Sequence, residues 1–194
     1  MAQPFSPEQL CAIRSRLLES AQRHALSTGL RKTSLDALTA DAGIAKSSFY
    51  KFYESKEQLF LEIAGQWEAD ILACAAGTLS QNAACSSKRR AAAFVFAAFE
   101  RIHQLGIARF LREDLPVLSQ FIPQDAARAH ALSSARNIFS ALRAAGIGFT
   151  APDETVVSVV QLMYLSILNI GDIGENFFPA LRELVEGACD RLVA

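Results

Sequence analysis

The residues best suited to chemistry lie in the segment 46–51, which reads Lys-Ser-Ser-Phe-Tyr-Lys. Lysine ammonium groups neutralise phosphates, while serine and tyrosine hydroxyls hydrogen-bond to phosphate oxygens and to base edges. This composition is typical of a surface that contacts double-stranded DNA. Taken without their surroundings, the lysines could equally be solvated charge, and Tyr50, Phe52 and Tyr53 could be core aromatics.

Two short helices around Gly43 are predicted to position this segment. The first begins near Thr33 or Ser34, either of which can cap it, and runs to about Ala42. Gly43 permits a tight turn with positive φ. The second covers 46–51, and two short helices joined by such a turn form a helix-turn-helix.

The segment from Thr33 to Leu59 resembles the N-terminal DNA-binding domain of the TetR/AcrR repressor family. The resemblance holds without gaps and, with the preceding helix, covers about 50 residues. The matching residues are Thr33, Leu35, Leu38, Ala42, Gly43, Ile44, Lys46, Ser48, Phe49, Tyr50, Phe52, Tyr53, Ser55, Lys56, Glu57 and Leu59.

The resemblance implies a set of DNA contacts. The first three residues of the recognition helix approach base edges, Tyr50 and Lys56 reach phosphates, Lys51 reaches a phosphate or a base, and Thr33 touches the backbone. Ile44 and Phe49 would only pack. The implied DNA-binding residues are Thr33, Lys46, Ser47, Ser48, Tyr50, Lys51 and Lys56.

The sequence departs from the family pattern at two positions. Ala45 stands where the family usually has a serine that caps the recognition helix, a loss of about 1 kcal/mol. Thr39 stands where the family usually has alanine, which places a hydroxyl beside a packed interface. Neither change removes an expected DNA contact.

The composition predicts an all-α protein with a substantial core. The 194 residues are 51% hydrophobic, with only 6 prolines and 10 glycines, and no long alternating pattern suggests a strand. Net charge is -1, but residues 1–60 carry eight Lys or Arg against six Asp or Glu. The polar N-terminus lacks a signal-peptide pattern, and the longest apolar run is Ala91–Phe99, so we expect a soluble, cytoplasmic protein.

Few other residues suggest chemistry. We find no nucleophile–base pairing, no metal-ligand spacing and no phosphate-cradling glycine loop, so neither an enzyme nor a cofactor is expected. The four cysteines form no CxxC pair. We expect them to be reduced thiols, with a thiol sensor at Cys74 and Cys85 as the alternative.

Two domains are predicted, residues 1–54 as the helix-turn-helix domain and 55–194 as a helical body for effector binding and dimerisation. A helix from about Pro7 to Ser27 begins with a Ser6/Gln9 capping box, and a long helix begins after Ser55. Further helices are expected near 88–105, 107–119, 123–145, 152–170 and 177–193, with a loop over 80–88.

The last two helices are predicted to form a dimer interface, because their apolar residues recur at helical spacing. The resemblance implies a two-fold dimer whose recognition helices lie about one DNA turn, ~34–36 Å, apart. The alternative is that both helices line one core. The predicted interface residues are Val156, Val160, Met163, Ile167, Leu181, Leu184, Val185, Ala188 and Leu192.

An apolar effector cavity with a few polar anchors is also implied by the resemblance. The candidate residues are Phe94, Phe99, His103, Phe121, Phe139, Met163 and Asn169, each of which could instead only fill the core. The leading hypothesis is a repressor released from a palindromic operator DNA by a small apolar or amphipathic molecule. The alternative is a DNA-binding regulator switched by thiol oxidation or by a partner protein.

Overall fold

The protein is all-α, as the sequence predicts. The computed structural model describes residues 5–194, with the side chains of 127–135 excepted, and contains no strand within that range beyond one isolated bridge between Phe149 and Val193. The helices are α1 (Pro7–Ser27), α2 (Leu35–Ala42), α3 (Lys46–Phe49), α4 (Lys56–Gln81), α5 (Ser87–Leu105), α6 (Ala108–Glu113), α7 (Leu115–Leu118), α8 (Gln124–Ala144), α9 (Asp153–Ile167), α10 (Ile170–Ile173) and α11 (Phe177–Leu192). Short 3-10 turns follow α7 and α10.

The chain folds into two compact units. The N-terminal unit extends to Trp67 and also contains Arg109–Phe121, whereas the C-terminal unit contains Glu68–Ala108 and Ile122–Ala194. The first part of α4 and the segment around α6 therefore belong to the N-terminal unit. The functional division after residue 54 stays a prediction, since compactness alone does not define what each part does.

The core of the N-terminal unit is built from the inner faces of its helices. Leu17, Leu38, Phe49 and Phe60 are fully buried there. The edge of the Phe110 ring meets Trp67, with ring centroids 5.0 Å apart. This core holds the short helices α2 and α3, which are too short to be stable in isolation.

Two predicted helices are broken in the structure. The helix expected over 107–119 is divided between α6 and α7 at Asp114, because Pro116 lacks an N–H and its ring obstructs a continuous helix. The helix expected over 152–170 ends at Ile167, and α10 begins at Ile170 after Asn169 leaves the helical conformation.

The C-terminal unit is centred on α5 and α11, which pack against each other. Phe94, Phe99, Leu181 and Val185 are buried along these helices. The chain end is tied back to the loop before α9, since Thr150 N–H donates to Leu192 O at 2.9 Å.

No single helix in the described part of the chain is long and apolar enough to cross a membrane. The pair Asp153–Ile167 and Ile170–Leu192 combines sufficient length and hydropathy, but it is bent by 69°. Within the same residues, no group of three His, Cys, Asp or Glu side chains is arranged to hold a metal ion.

Candidate nucleic-acid interface

The α2–α3 pair forms a tight helix-turn-helix around Gly43. Gly43 ends α2 at φ 69°, and its N–H donates to Ala40 O at 3.1 Å. Ile44 N–H then donates to Thr39 O at 3.0 Å. This closure satisfies the carbonyls at the end of α2 and directs the chain into α3.

Buried aromatic packing fixes the orientation of α3. Phe49 is fully buried, and its ring lies 5.7 Å from Tyr50 and 5.8 Å from Tyr53, centroid to centroid. Ala45 provides no side-chain cap to α3, as its residue type predicts. Burial of Phe49 therefore has to hold a helix of four residues that lacks a polar cap.

The opposite side of α3 presents cations and hydroxyls to solvent. Lys46, Ser47 and Lys51 are exposed, Ser48 is half-buried, and Tyr50 is 61% exposed. These five residues, here called the α3 surface, are those that the sequence predicts to contact DNA from the recognition helix. The tyrosine ring lies outside the core, so its core-aromatic alternative is excluded.

Two of the α3 surface cations have weak partners in the free protein. Lys46 Nζ lies 3.1 Å from Asp36 Oδ2, and both side chains are more than half exposed. Lys51 Nζ lies 5.1 Å from the centre of the Phe5 ring. Exposed pairs of this kind contribute on the order of 1 kcal/mol or less, so both cations can exchange these partners for phosphate.

Thr33 and Lys56 are engaged within the fold instead. Thr33 is 2% exposed, and its hydroxyl donates to Gly29 O at 2.7 Å. The Lys56 ammonium group donates to Leu30 O at 2.9 Å and to Thr33 O at 2.8 Å. The structure thus gives both residues a structural role, because their polar groups hold the turn between α1 and α2. Their contacts with DNA stay a prediction.

Lys56→Met is expected to lower the free energy of unfolding by about 2 kcal/mol, because two carbonyls lose a charged donor while the hydrocarbon stem is kept. Lys51→Met is the matched control, because its ammonium group makes no such bond with the residues that the structure describes. It should leave unfolding within about 0.5 kcal/mol of wild type and weaken DNA binding instead. Urea unfolding of both variants checks this, and equal stability losses would contradict the structural assignment of Lys56.

A second pair of residues, which sequence reasoning missed, holds the same turn from α6 and from the residue that follows it. Arg109 donates to Ala25 O at 2.7 Å, near the C-terminus of α1. The Asp114 carboxylate is 4% exposed and accepts from Leu30 N–H at 3.1 Å. The chain separation of 84 residues leaves no local signal for either contact.

Gly29 makes this arrangement possible, and it suggests a paired test. Its φ is +82°, and a Cβ placed there would lie 2.8 Å from Arg109 Nη1 and 3.2 Å from Asp114 Oδ2. Gly43 has a similar φ of +69° but open space around it. Gly43→Ala should therefore cost only the backbone strain of about 1 kcal/mol, whereas Gly29→Ala should cost about 1 kcal/mol more by displacing the two side chains. Thermal unfolding of both variants measures the difference, and equal losses would show that the Arg109 and Asp114 contacts add nothing.

An apolar cavity of about 310 Å³ lies within the C-terminal unit. Four of the seven predicted pocket residues line it, namely Phe94, Phe99, Phe139 and Met163. Its wall also contains Phe149 and Tyr164, which the sequence did not single out.

The other three predicted pocket residues lie elsewhere. His103 is exposed at the end of α5, where its ring meets Phe178 with centroids 5.0 Å apart. Phe121 is 58% exposed and belongs to the N-terminal unit. Asn169 is exposed, and its amide donates to Leu165 O at 3.1 Å. Their residue types resembled pocket anchors, but their helices present them to solvent or to their own backbone.

A larger groove of about 830 Å³ on the same unit has a different character. Cations and anions share its wall, including Lys88, Arg89, Arg182, Glu186 and Asp190. The Arg182 guanidinium already lies 4.1 Å from the centre of the Phe96 ring. The mixture of charges does not favour one class of ligand.

The predicted dimer residues divide between the core and the surface. Val156, Met163, Ile167, Leu181 and Val185 are buried within the C-terminal unit itself, so the core alternative holds for them. Ala188 and Leu192 are half-buried and line the apolar cavity. Val160 and Leu184 remain exposed, at 37% and 58%.

Other apolar side chains of α9 and α10 are exposed as well. Leu162 is 68% exposed, Leu165 54% and Ile173 47%. We call Val160, Leu162, Leu165, Ile173 and Leu184 the apolar patch. Because α9 is apolar around most of its circumference, the sequence pattern did not single out Leu162 or Leu165 as exposed. The dimer interface itself stays a prediction.

Comparison with known proteins bears on both units. Residues 17–63 match the family model described as bacterial regulatory proteins, tetR family. No curated protein matches the chain.

Several solved structures share the fold over nearly the whole chain. A TetR-family transcription regulator from Marinobacter aquaeolei VT8 aligns with a TM-score of 0.66 at 16% identity, covering 97% of this chain and 99% of the other. One from Streptomyces coelicolor aligns with a TM-score of 0.64 at 19% identity over 97% and 96%. One from Rhodococcus sp. RHA1 gives 0.61 at 19% identity over 94% and 96%. At these identities the likeness establishes the fold alone.

The buried α2–α3 frame and the exposed α3 surface form a helix-turn-helix within the segment that matches the family model. The chain thus shares its fold with several TetR-family regulators, and its residues 17–63 match that family's model.

Proposed function

We propose that this chain is a DNA-binding transcriptional regulator of the TetR family. It would act as a dimeric repressor that is released from a palindromic operator when a small apolar or amphipathic molecule binds the C-terminal unit. The observation that carries the DNA-binding part is the α3 surface, where exposed lysines and hydroxyls are held by the buried Phe49. Side chains of these types, on the second helix of a helix-turn-helix, suit contacts with base edges and phosphates in a major groove.

The apolar patch supports the dimer. Five exposed large apolar side chains on α9, α10 and α11 of one unit are typical of an interaction site, and a second copy of the same surface is a chemically matched partner. A two-fold dimer would present two α3 surfaces to two half-sites. Its role on DNA would place the protein in the cytoplasm.

The apolar cavity supports the effector part. A cavity lined almost wholly by hydrocarbon is poorly suited to water, and a ligand there would favour the conformation in which it is best enclosed. The protein would be released from the operator if the ligand-bound conformation fits the DNA less well than the ligand-free conformation does.

A regulator switched by thiol oxidation or by a partner protein is the second candidate. Cys74 is exposed and Cys85 is partly exposed, which favours the thiol form. Unchanged DNA release in Cys74→Ser and Cys85→Ser would exclude the thiol form.

The test of the proposal is selection of genomic DNA fragments by the purified protein at two salt concentrations. We expect one palindromic sequence to be enriched and its affinity to fall at the higher salt, because bound phosphates release counterions. A selection that enriches no sequence at either salt concentration would overturn the proposal.

A further inference from the structure

We infer that the effector is an uncharged, hydrocarbon-rich molecule of about two fused rings that makes one hydrogen bond, to the Tyr164 hydroxyl. The inference rests on the proposed function and names the class of ligand for the apolar cavity. It excludes fatty-acid carboxylates, cationic amphiphiles and other charged molecules of similar size.

The described part of the wall offers a charged ligand no counter-charge. Aromatic rings come from three helices and a loop, with Phe99 on α5, Phe139 on α8, Tyr164 on α9 and Phe149 before α9. No Lys, Arg, His, Asp or Glu is present among the described residues that line the cavity. A ligand carboxylate or ammonium group that entered the cavity would lose its hydrating water and gain no counter-charge. Burying an unpaired charge in this way costs several kcal/mol.

Tyr164 is the polar group best placed to anchor a ligand. Of the other polar side chains on the wall, Gln161 is exposed to solvent, and burial raises the pKa of the Cys189 thiol to about 11, which keeps it neutral. Burial also raises the pKa of the Tyr164 phenol, so its hydroxyl is partly removed from bulk water. Among the described residues that hydroxyl has no hydrogen-bond partner, and a partly desolvated hydroxyl without a partner is an anchor that a ligand can satisfy.

The volume sets the size of the ligand. A dry cavity of ~150 Å³ holds benzene, and this cavity of about 310 Å³ is about twice as large. Two fused rings with one polar substituent therefore match both the space and the single anchor.

A matched series of naphthalenes tests the inference without DNA. Calorimetric titration of the full chain at neutral pH should show 2-naphthol binding about tenfold more tightly than naphthalene, because only 2-naphthol can pair with Tyr164. The anion 2-naphthoate should bind at least a hundredfold more weakly than 2-naphthol. The inference is overturned if 2-naphthoate binds within tenfold of 2-naphthol, or if none of the three binds.

Tyr164→Phe locates the anchor. The variant should keep the wild-type affinity for naphthalene and lose the tenfold advantage of 2-naphthol, with thermal unfolding as the check that it is folded. If the variant still binds 2-naphthol tenfold more tightly than naphthalene, the role of Tyr164 is overturned.

Release of a selected DNA fragment is measured separately. If 2-naphthol binds as expected but releases no DNA, the effector part of the proposed function fails while the cavity chemistry stands.

Discussion

Replacing Leu184 with Asp is expected to convert the protein from a dimer to a monomer and to weaken palindromic DNA binding on the order of a hundredfold. Leu184 is 58% exposed on α11 and belongs to the apolar patch. A carboxylate there stays hydrated in the monomer, but in a dimer it would be buried without a partner, at a cost of several kcal/mol. A monomer holds only one half-site, so affinity for the palindrome falls with the dimer. Sedimentation velocity and fluorescence anisotropy measure the two effects.

Leu26→Asp is the matched control for this substitution. Leu26 is 45% exposed on α1 in the N-terminal unit, outside the apolar patch. It introduces the same charge at a comparably exposed leucine, so we expect it to remain a dimer. A Leu184→Asp protein that sediments as a dimer would show that the apolar patch is not the interface.

Phe49→Ala is expected to lower the free energy of unfolding by about 3–5 kcal/mol and to abolish DNA binding. Phe49 is fully buried, and truncating a buried phenylalanine removes its transfer free energy and leaves a cavity. The loss is a large fraction of the stability of a domain. The loss of packing destabilises α3 in particular, because this helix has no side-chain cap and only four residues. Urea unfolding followed by circular dichroism measures it.

The neighbouring aromatic provides the control. Tyr50 is 61% exposed, so Tyr50→Ala should change the free energy of unfolding by less than about 1 kcal/mol. It should nevertheless weaken DNA binding, because the hydroxyl that would meet a phosphate is lost. Similar stability losses for the two variants would mean that α3 is not oriented as the structure describes.

Local rules predicted much of the fold. The Ser6 and Gln9 pair forms the expected capping box, with Ser6 N–H donating to Gln9 Oε1 at 2.8 Å. Ser34 caps α2, and Gly43 ends it in the left-handed conformation. These features depend on residues within a few positions of one another, so their spacing in the sequence is sufficient to reveal them.

Non-local features could not be predicted in this way. Which stripe of α9 meets the core depends on the packing of α5 and α11. The burial of Met163 and the exposure of Leu162 therefore do not follow from the sequence of an almost wholly apolar helix. The engagement of Lys56 with loop carbonyls depends on chain separations of 23 and 26 residues. The contacts of Arg109 and Asp114 span 84 residues. No periodicity encodes such pairs, and a motif match assigned Lys56 to DNA because it records residue type without contacts.

The measurement that tests the central claim most directly is the salt dependence of operator binding for wild type and for Lys46→Met/Lys51→Met. If the α3 surface contacts the DNA, the wild-type logarithm of affinity falls steeply with the logarithm of salt concentration. The variant should bind more weakly, with a slope reduced by about 1 for each lost phosphate contact in each protomer. Identical affinities and slopes for the two proteins would contradict the account, because the DNA would then be bound by some other surface.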